Sequence, residues 1–312
     1  MALKSLKEYS AQSGLLAGGH RACSGCPAPT AIRMALNAAD TKDIVVAFST
    51  GCMEVVTTIY PFTAWKIPYI HSAFENVAAT ISGVETAYNA LKAKGKITRD
   101  IKFMAWGGDG GTYDIGLQSL SGALERGHRY LHICYDNEGY MNTGIQRSGS
   151  TPKGAETNTS QIGSVQKGKQ QQKKDLTAIV IAHHIPYVAQ ASVHNWKDFM
   201  TKVQKGLAVK DGPAFINVLA PCHRGWRVAE DEGFEYARLA VETCTWHMFE
   251  VENGKLTINY KPKTKLPVQD YLLKQGRFRH LNDPANAALV AEIQADVDKK
   301  WQELLDKESK SL

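Results

Sequence analysis

Short apolar segments alternate along this chain with longer segments of helical period, and that alternation is typical of an α/β fold. Three segments are predicted to be buried strands because each is short and apolar: Ile44–Phe48, Lys102–Trp106 and Tyr130–Tyr135. Ala73–Lys94 carries small and apolar side chains at helical spacing, which predicts a long helix against the core. Because strands and helices take turns, we expect a mostly parallel sheet flanked by helices.

The alternation continues to the end of the chain. A helix over Asp114–Arg126 follows a glycine-rich turn, and it is expected to direct Ile115, Leu117, Leu120 and Leu124 inward. The later predicted elements are two helix–strand pairs, an extended region and a charged final helix: Leu176–His183 with Tyr187–Ala191, Trp196–Leu207 with Ala214–Leu219, Trp246–Tyr260, and Asn286–Lys307.

Length and composition fit this architecture. A chain of 312 residues with 43% hydrophobic side chains can bury a large core. We assign 1–255 to the α/β domain and 256–312 to a C-terminal extension whose helix packs on the domain or on a partner subunit. No apolar run approaches the roughly 20 residues that span a bilayer, and the start lacks a secretory segment. Six cysteines are too few for a disulfide scaffold, so we expect a cytoplasmic protein with no membrane partner.

One long segment, Gly144–Asp175, shows no regular period. Much of the formal net charge of +6 comes from four lysines within it: Lys167, Lys169, Lys173 and Lys174. No aromatic residues lie between these lysines, so a solvated loop is a better interpretation than a nucleic-acid patch. Because long irregular loops in folded domains are often functional, a protein contact or a lid over an anionic cofactor is the functional alternative.

Two polar motifs follow two of the predicted strands. The sequence GGDGG covers 107–111, and DNEGYMNTG covers 136–144. Glycines at 108, 110 and 111 allow backbone N–H groups to approach a phosphate closely. Asp109, Asn137 and the Gly139 carbonyl offer the hard oxygen ligands that Mg²⁺ prefers. Either motif alone is a common turn, and the spacing needed for a dinucleotide-binding fingerprint is missing. The two together predict a Mg²⁺–diphosphate site, which is the signature of thiamine diphosphate.

Four cysteines are candidate metal ligands. Cys23 and Cys26 form a Cys-x-x-Cys pair, Cys52 follows the first predicted strand, and Cys222 lies much later. Four thiolates suit zinc or a [4Fe–4S] cluster about equally, and zinc could also recruit His20 or His223. The two other cysteines, Cys134 and Cys244, lie in apolar segments and are expected to be small buried hydrophobic residues.

At this point the motifs resemble a known family, the 2-oxoacid:ferredoxin oxidoreductases, and within it the β subunits of the pyruvate enzymes. The resemblance covers most of 19–152 and continues in patches to about residue 279. It rests on these stretches: GHRACSGC, STGCMEV, GGDGGTYDIGLQ, YDNEGYMNTGIQRSGSTP, PCHRGWRV and QGRFR. The chain departs from the usual family pattern around the cysteines, at Ser24 and Pro27 and in the His-Arg-Gly-Trp sequence after Cys222.

The resemblance implies a subunit that binds thiamine diphosphate, Mg²⁺ and one [4Fe–4S] cluster. Carried over residue by residue, the cluster ligands are Cys23, Cys26, Cys52 and Cys222, and the Mg²⁺ ligands are Asp109, Asn137 and the Gly139 carbonyl. Asn142 is the candidate catalytic residue, because its amide could stabilise charge that develops on the substrate adduct. The cofactor-binding residues are then Gly51, Cys52, Gly108, Asp109, Gly110, Gly111, Asn137, Gly139, Asn142 and Thr143.

The implied reaction converts pyruvate and coenzyme A to acetyl-CoA and CO₂, with electrons passed to ferredoxin. In this family the glutamate that activates the cofactor comes from an α-type partner, so Glu75 is expected to be structural and the chain alone inactive. A ferredoxin-like (δ/γ) subunit is the expected electron exit. Oxalate, which needs no coenzyme A, is the alternative substrate. A non-oxidative thiamine-dependent lyase and a zinc-stabilised binding module remain as alternatives of other classes.

Overall fold

Six parallel strands form the centre of the fold, and an antiparallel hairpin extends one edge of the sheet. The structure, a computed structural model, describes residues 3–12 and 14–310. The strand order is β2-β1-β3-β4-β6-β5-β7-β8. The strands are β1 (Ile44–Ser49), β2 (Tyr69–Ser72), β3 (Lys102–Gly108), β4 (Leu131–Asp136), β5 (Tyr187–Ser192), β6 (Ala214–Leu219), β7 (Phe249–Glu252) and β8 (Lys255–Ile258).

Helices cover both faces of the sheet. They are α1 (Leu6–Ser10), α2 (Pro27–Ala39), α3 (Cys52–Thr57), α4 (Val77–Ala93), α5 (Leu117–Glu125), α6 (Leu176–Ile181), α7 (Trp196–Ala208), α8 (His223–Trp226), α9 (Gly233–Glu242), α10 (Gln269–Leu272) and α11 (Ala287–Lys310). A π-helical turn spans Gly110–Asp114, and 3₁₀ turns span Gly276–Asn282 and Pro284–Asn286. Among the described residues, no helix combines the length and the apolar character that crossing a membrane requires. The predicted α/β class is confirmed.

The core is divided between the two faces of the sheet. Helices α2 and α7 pack on one face, where Ile32 and Phe199 meet side chains of the central strands. Helices α4 and α5 pack on the other face, through residues such as Ile81 and Leu120. The central strands are buried on both faces, as expected of a parallel sheet between helical layers. A third apolar cluster joins α9 and the C-terminal segment to this body, with Phe278 fully buried.

Two helices differ from their predicted form. Helix α4 begins at Val77, four residues later than predicted, because residues 73–76 form the turn that follows strand β2. Its buried face runs through Ile81, Glu85 and Tyr88, so Leu91 falls beside that line and is exposed. The helix predicted from Asp114 starts only at α5, and a π-helical turn precedes it. Ile115 lies in the connection and is 56% exposed, so its predicted inward position was wrong.

The C-terminal residues pack closely on the sheet. The Glu308 side chain of α11 accepts a hydrogen bond from the Ile258 backbone N–H at 2.7 Å, which joins the final helix to β8. The division of the chain into 1–255 and 256–312 falls within β8 and stays a prediction.

The Gly144–Asp175 segment contains no helix or strand, as predicted, yet two of its lysines are not solvated. Lys169 is 2% exposed, and its Nζ donates to the carbonyl oxygens of Ser148 at 3.3 Å, Gly149 at 3.2 Å and Thr151 at 2.5 Å. Lys173 ion-pairs with buried carboxylates. The interpretation as a solvated loop was therefore wrong for these two residues, because buried acceptors compete successfully with water for their amines.

Replacing Lys169 with methionine should lower the free energy of unfolding by about 1–3 kcal/mol, because its three hydrogen bonds are lost and the Ser148 and Gly149 carbonyl oxygens keep only a backbone N–H donor. Denaturant unfolding of the two proteins measures the difference. Lys167→Met is the matched control, since this lysine donates to a single exposed carbonyl, that of Gly163. It should change stability by less than about 0.5 kcal/mol. Equal losses in both variants would contradict the anchoring role of Lys169.

Candidate active site

The carboxyl ends of three neighbouring strands meet at one edge of the sheet. Strand β1 is followed by Gly51 and Cys52, strand β3 by Asp109, and strand β4 by Asn137. Strands β1, β3 and β4 are parallel neighbours, so these residues lie side by side. The chain runs from β1 to β2 on one side and then to β3 on the other. This reversal creates a crevice at which open α/β sheets bind ligands.

A cavity occupies that crevice. All ten residues predicted to contact the cofactor line it, so the structure brings the two motifs and the Gly51–Cys52 turn together. Five further residues complete the lining: Thr50, Phe74, Tyr135, Tyr140 and Met141. The predicted catalytic residue Asn142 and its neighbour Thr143 lie at the exposed side of the cavity.

Three oxygens converge at the base of the cavity. Asn137 Oδ1 lies 2.9 Å from the Gly139 carbonyl oxygen and 2.9 Å from Asp109 Oδ1. Acceptors this close repel one another unless a cation lies between them or the amide turns its nitrogen inward to donate to both. In an octahedral Mg²⁺ shell with bonds of about 2.1 Å, adjacent oxygens are about 3.0 Å apart. The Asn137–Gly139 and Asn137–Asp109 pairs have this spacing, so the donor set fits Mg²⁺ when the Asn137 amide oxygen faces inward.

Asp109 is buried and tightly surrounded. Its Oδ1 accepts the Asn137 backbone N–H at 3.3 Å, and its Oδ2 accepts the Ser148 hydroxyl at 2.5 Å. Burial, and then the neighbouring carboxylate of Asp136, raise the pKa of Asp109 well above its usual value. A divalent cation reverses this balance because it stabilises the ionised carboxylate. The site is therefore electrostatically incomplete without a positive charge beside Asp109.

Ser148→Ala should weaken divalent-metal binding by about 10–100-fold, the usual effect of removing a hydrogen bond to a ligating carboxylate. Ser148 reaches Asp109 from the long Gly144–Asp175 segment, so the substitution also tests whether that segment supports the site. A Mn²⁺ titration in the presence of thiamine diphosphate provides the measurement. Ser164→Ala changes an exposed serine of the same segment and should bind Mn²⁺ normally. Identical affinities for the two variants would exclude a supporting role for Ser148.

Glycines are required where aromatic side chains close the cavity. A Cβ at Gly51 would lie 2.7 Å from the Tyr135 hydroxyl, and a Cβ at Gly110 would overlap the Tyr140 ring. The Tyr140 hydroxyl in turn donates to the Gly110 carbonyl at 3.1 Å. Only glycine therefore permits both the close packing of these rings and the approach of a ligand to the backbone.

Three of the four candidate cluster cysteines stand at the start of a helix. Cys26 precedes α2, Cys52 is the first residue of α3, and Cys222 precedes α8. The backbone N–H of Gly225 donates to the Cys222 sulfur at 3.4 Å, the kind of bond that tunes the potential of a cluster. Of the four candidate ligands, Cys52 is the one that also lines the cavity.

The Cys23–Cys26 turn packs between the other two cysteine segments. The Arg21 backbone N–H donates to the Val56 carbonyl of α3 at 2.9 Å, which holds this turn beside the helix that begins at Cys52. Gly25 has a φ of +73°, and a Cβ there would overlap the Glu230 carbonyl. The turn therefore also contacts the segment that follows Cys222.

The four thiols influence one another. Burial, and then the neighbouring thiols of Cys222, Cys26 and Cys23, raise the pKa of Cys52 to about 12. Burial, followed by Cys222 and Cys23, likewise raises the pKa of Cys26 to about 12. Within residues 3–12 and 14–310, no three His, Cys, Asp or Glu side chains are grouped as a site for one metal ion. The ligand sulfurs of a single metal ion lie closer together than those of a cubane cluster: four sulfurs around one zinc ion are only about 3.8 Å apart.

The cavity holds one acid among its described lining residues, Asp109. Glu75, the other acid considered from the sequence, is exposed and lies outside the lining, while its neighbour Phe74 contributes to it. Phe74 packs against Tyr140 with ring centroids 5.8 Å apart. The structural role expected of Glu75 stays a prediction.

Sequence reasoning missed the residues that support the site from a distance. Ser148, Ser150 and Lys173 come from the irregular segment, and Arg277 comes from the C-terminal region. Nothing in the periodicity of an irregular segment indicates which of its side chains turn inward. The available signals were two stretches that resemble the family, since YDNEGYMNTGIQRSGSTP includes Ser148 and Ser150 and QGRFR includes Arg277.

Comparison with known proteins agrees with this geometry. The profile described as "Thiamine pyrophosphate enzyme, C-terminal TPP binding domain" matches residues 49–218. The chain is 54% identical to a protein of Thermotoga maritima named pyruvate synthase subunit PorB, over 92% of this chain and 90% of that protein. It is 52% identical to the protein of that name in Methanocaldococcus jannaschii, over 91% and 94%.

Two further relatives broaden the comparison. A ketoisovalerate oxidoreductase subunit VorB of Pyrococcus abyssi is 44% identical, over 92% of this chain and 91% of that protein. The fold is similar to that of a solved structure, the 2-oxoglutarate:ferredoxin oxidoreductase of Magnetococcus marinus, with a TM-score of 0.54 and 17% identity. That similarity covers 76% of this chain and 81% of the other. The chain therefore belongs to the β subunits of the pyruvate synthases, thiamine-pyrophosphate enzymes of the 2-oxoacid:ferredoxin oxidoreductase family.

Proposed function

We propose that this chain binds thiamine diphosphate through a Mg²⁺ ion held by Asp109, Asn137 and the Gly139 carbonyl. The observation that carries the proposal is that the Asn137 side-chain amide lies 2.9 Å from both the Gly139 carbonyl oxygen and Asp109 Oδ1 at the base of the cavity. The glycines that follow β3 allow backbone N–H groups to approach the diphosphate. When bound, thiamine diphosphate supplies the nucleophilic carbon and the electron sink for decarboxylation of a 2-oxoacid.

We further propose that Cys23, Cys26, Cys52 and Cys222 bind a [4Fe–4S] cluster beside that cofactor. The nearness of Cys222, Cys26 and Cys23, which raises the pKa of Cys52, and the N–H···S bond at Cys222 support this assignment. Metal binding would stabilise the thiolate forms that burial alone disfavours. Because Cys52 also lines the cofactor cavity, the cluster would accept electrons directly from that cavity.

The proposed reaction is pyruvate plus coenzyme A to acetyl-CoA and CO₂, with two electrons passed to ferredoxin and one proton released. The role of Asn142 is to donate its amide N–H to the substrate-derived oxygen on which charge develops. Pyruvate is favoured because the relatives named for it are 46–54% identical, whereas the ketoisovalerate relative is 44% identical. Oxalate, which would yield two CO₂ and need no coenzyme A, is the second candidate.

Partner chains complete the proposed enzyme. Asp109 is the one acid among the described lining residues and is committed to the metal, so an α-type subunit must supply the carboxylate that activates the cofactor. A ferredoxin-like subunit and ferredoxin would carry the electrons away. A cytoplasmic location stays a prediction.

The test uses the complex purified without oxygen together with its partner chains. Pyruvate, oxalate and ketoisovalerate are added separately, each with and without coenzyme A, and reduction of a [4Fe–4S] signal is followed by EPR. Pyruvate should reduce the cluster, and coenzyme A should drive that reduction to completion. Reduction by oxalate without coenzyme A would change the substrate and preserve the site. Absence of any iron signal would overturn the redox function.

A further inference from the structure

Glu138 occupies an unusual position between two of the proposed metal ligands. It separates Asn137 from Gly139, and it adopts a left-handed backbone conformation with φ of +67°. Residues other than glycine rarely adopt this conformation, and the surroundings must hold it in place. Its side chain is 3% exposed, so a carboxylate is buried directly behind the oxygens that face Asp109.

Two cations from distant parts of the chain hold this carboxylate. Arg277 Nη2 donates to Glu138 Oε2 at 2.6 Å, and Lys173 Nζ lies 3.0 Å from Glu138 Oε1. Lys173 also pairs with Asp136 at 2.9 Å. Arg277 is only 2% exposed, and its Nε donates to Gln275 at 2.8 Å. The turn from Asp136 to Gly139 is therefore held by two cationic side chains, Lys173 and Arg277, that come from outside the sheet.

Arg277 also contacts the segment that carries a proposed cluster ligand. Its guanidinium lies 3.9 Å from the centroid of the Trp226 ring. Trp226 is the last residue of α8, the short helix that follows Cys222. Its backbone N–H donates to the Cys222 carbonyl at 2.8 Å. The indole N–H of the same tryptophan donates to the Asn137 carbonyl at 2.8 Å. One guanidinium thus contacts the metal-ligand turn through Glu138 and the Cys222 segment through Trp226.

We propose that Arg277 is a positioning residue that holds the Asn137–Gly139 turn in its metal-binding conformation and joins that turn to the Cys222 segment. This inference rests on the proposed Mg²⁺ site. It assigns a role to the QGRFR sequence, which lies 139 residues from Glu138 and outside the cofactor cavity. Without the guanidinium, the Glu138 carboxylate would keep only Lys173, and Trp226 would lose the flat group against which it stacks.

A simple anchoring role for Arg277 makes a different prediction. If the ion pair only attached the C-terminal region to the domain, its loss would lower thermal stability and leave metal affinity in the folded protein unchanged. Arg277→Lys separates the two roles, because lysine keeps the charge but loses the planar, forked geometry. Trp226→Phe is a second probe, since it keeps an aromatic ring beside the guanidinium and removes the indole N–H that reaches Asn137, together with part of the buried ring volume.

The experiment is a Mn²⁺ titration of the anaerobically purified complex, freed of divalent metal and supplied with thiamine diphosphate. Free Mn²⁺ is measured by EPR, so activity is not the readout. Arg277→Lys and Trp226→Phe should each raise the Mn²⁺ dissociation constant about 10–100-fold. Arg279→Lys, an exposed arginine of the same 3₁₀ turn, should leave it unchanged. Thermal unfolding of each variant shows whether a change in Mn²⁺ affinity accompanies a change in stability.

The outcomes separate this inference from the proposed function. Normal Mn²⁺ affinity in Trp226→Phe, and in Arg277→Lys where that variant folds, would overturn the positioning role while the metal site stands. If the Arg277→Lys complex does not assemble, the Mn²⁺ affinity of Trp226→Phe alone tests the positioning role. If the unmodified complex takes up no Mn²⁺ with thiamine diphosphate, the metal site fails and this inference fails with it.

Discussion

Replacing Asp109 with asparagine is expected to abolish Mg²⁺-dependent binding of thiamine diphosphate at working concentrations. Loss of a ligand should exceed the 10–100-fold effect of removing a group that only supports a ligand, so affinity should fall by more than about 100-fold. Asparagine matches aspartate in shape, and its oxygen can still accept the Asn137 backbone N–H. The protein without cofactor should be at least as stable as before, because burial and Asp136 already disfavour the Asp109 carboxylate. The variant should therefore lose cofactor binding while the apoprotein keeps or gains stability.

Cofactor binding is measured by quenching of tryptophan fluorescence, and stability by thermal unfolding of the apoprotein. Asp100→Asn is the matched control, since Asp100 is exposed and lies at the opposite end of β3. It should bind thiamine diphosphate normally. Retention of Mg²⁺-dependent cofactor binding in the Asp109 variant would show that the carboxylate is not a metal ligand, and the oxygen spacing would then reflect an inward-turned Asn137 amide.

Replacing Cys222 with serine is expected to remove the iron–sulfur cluster and leave the cofactor site intact. Serine is a good helix-capping residue, so its hydroxyl can accept the Gly225 backbone N–H in place of the sulfur. Cys222 does not line the cofactor cavity, so thiamine diphosphate should still bind. Iron content should fall to background, and pyruvate should no longer produce a reduced-cluster EPR signal.

The control for this variant is Cys244→Ser. Cys244 is 2% exposed, lies in the apolar cluster near α9 and is not one of the four candidate ligands. Its replacement should preserve the iron content even where it lowers stability. Full iron content in Cys222→Ser, or equal loss in both variants, would contradict the assignment of Cys222 as a ligand. Zinc in place of iron in the unmodified protein would favour the structural alternative.

The sequence predicted the parts of the fold that depend on local periodicity. Strand β6 was predicted with its observed bounds, and β1, β4 and α7 within one residue, because short apolar runs and helical stripes are local signals. The two polar motifs were predicted to share a site because each follows a strand, and the family resemblance added the Gly51–Cys52 turn to that site. The cavity, whose lining includes every predicted cofactor residue, agrees with that reasoning.

The supporting residues could not be predicted in this way. Ser148 and Lys173 lie in a segment without regular structure, where inward and outward side chains follow no period. Arg277 pairs with a carboxylate 139 residues away, and buried arginine is rare enough that sequence reasoning expects it at the surface. Ile115 shows the opposite error: it was predicted to be buried and is exposed, because the prediction continued the α-helical period through a π-helical turn. Contacts between distant segments decide all of these positions.

The most direct test of the account is an anomalous-scattering crystal structure of the anaerobically purified complex, with data collected at the iron edge. The central claim is that one chain holds a cluster on Cys23, Cys26, Cys52 and Cys222 beside a thiamine cofactor at Asp109. The account predicts an iron peak among the four sulfurs and density for thiamine diphosphate in the adjacent cavity. A zinc peak at the sulfurs, or a cofactor cavity without thiamine diphosphate in a complex that contains iron, would contradict it.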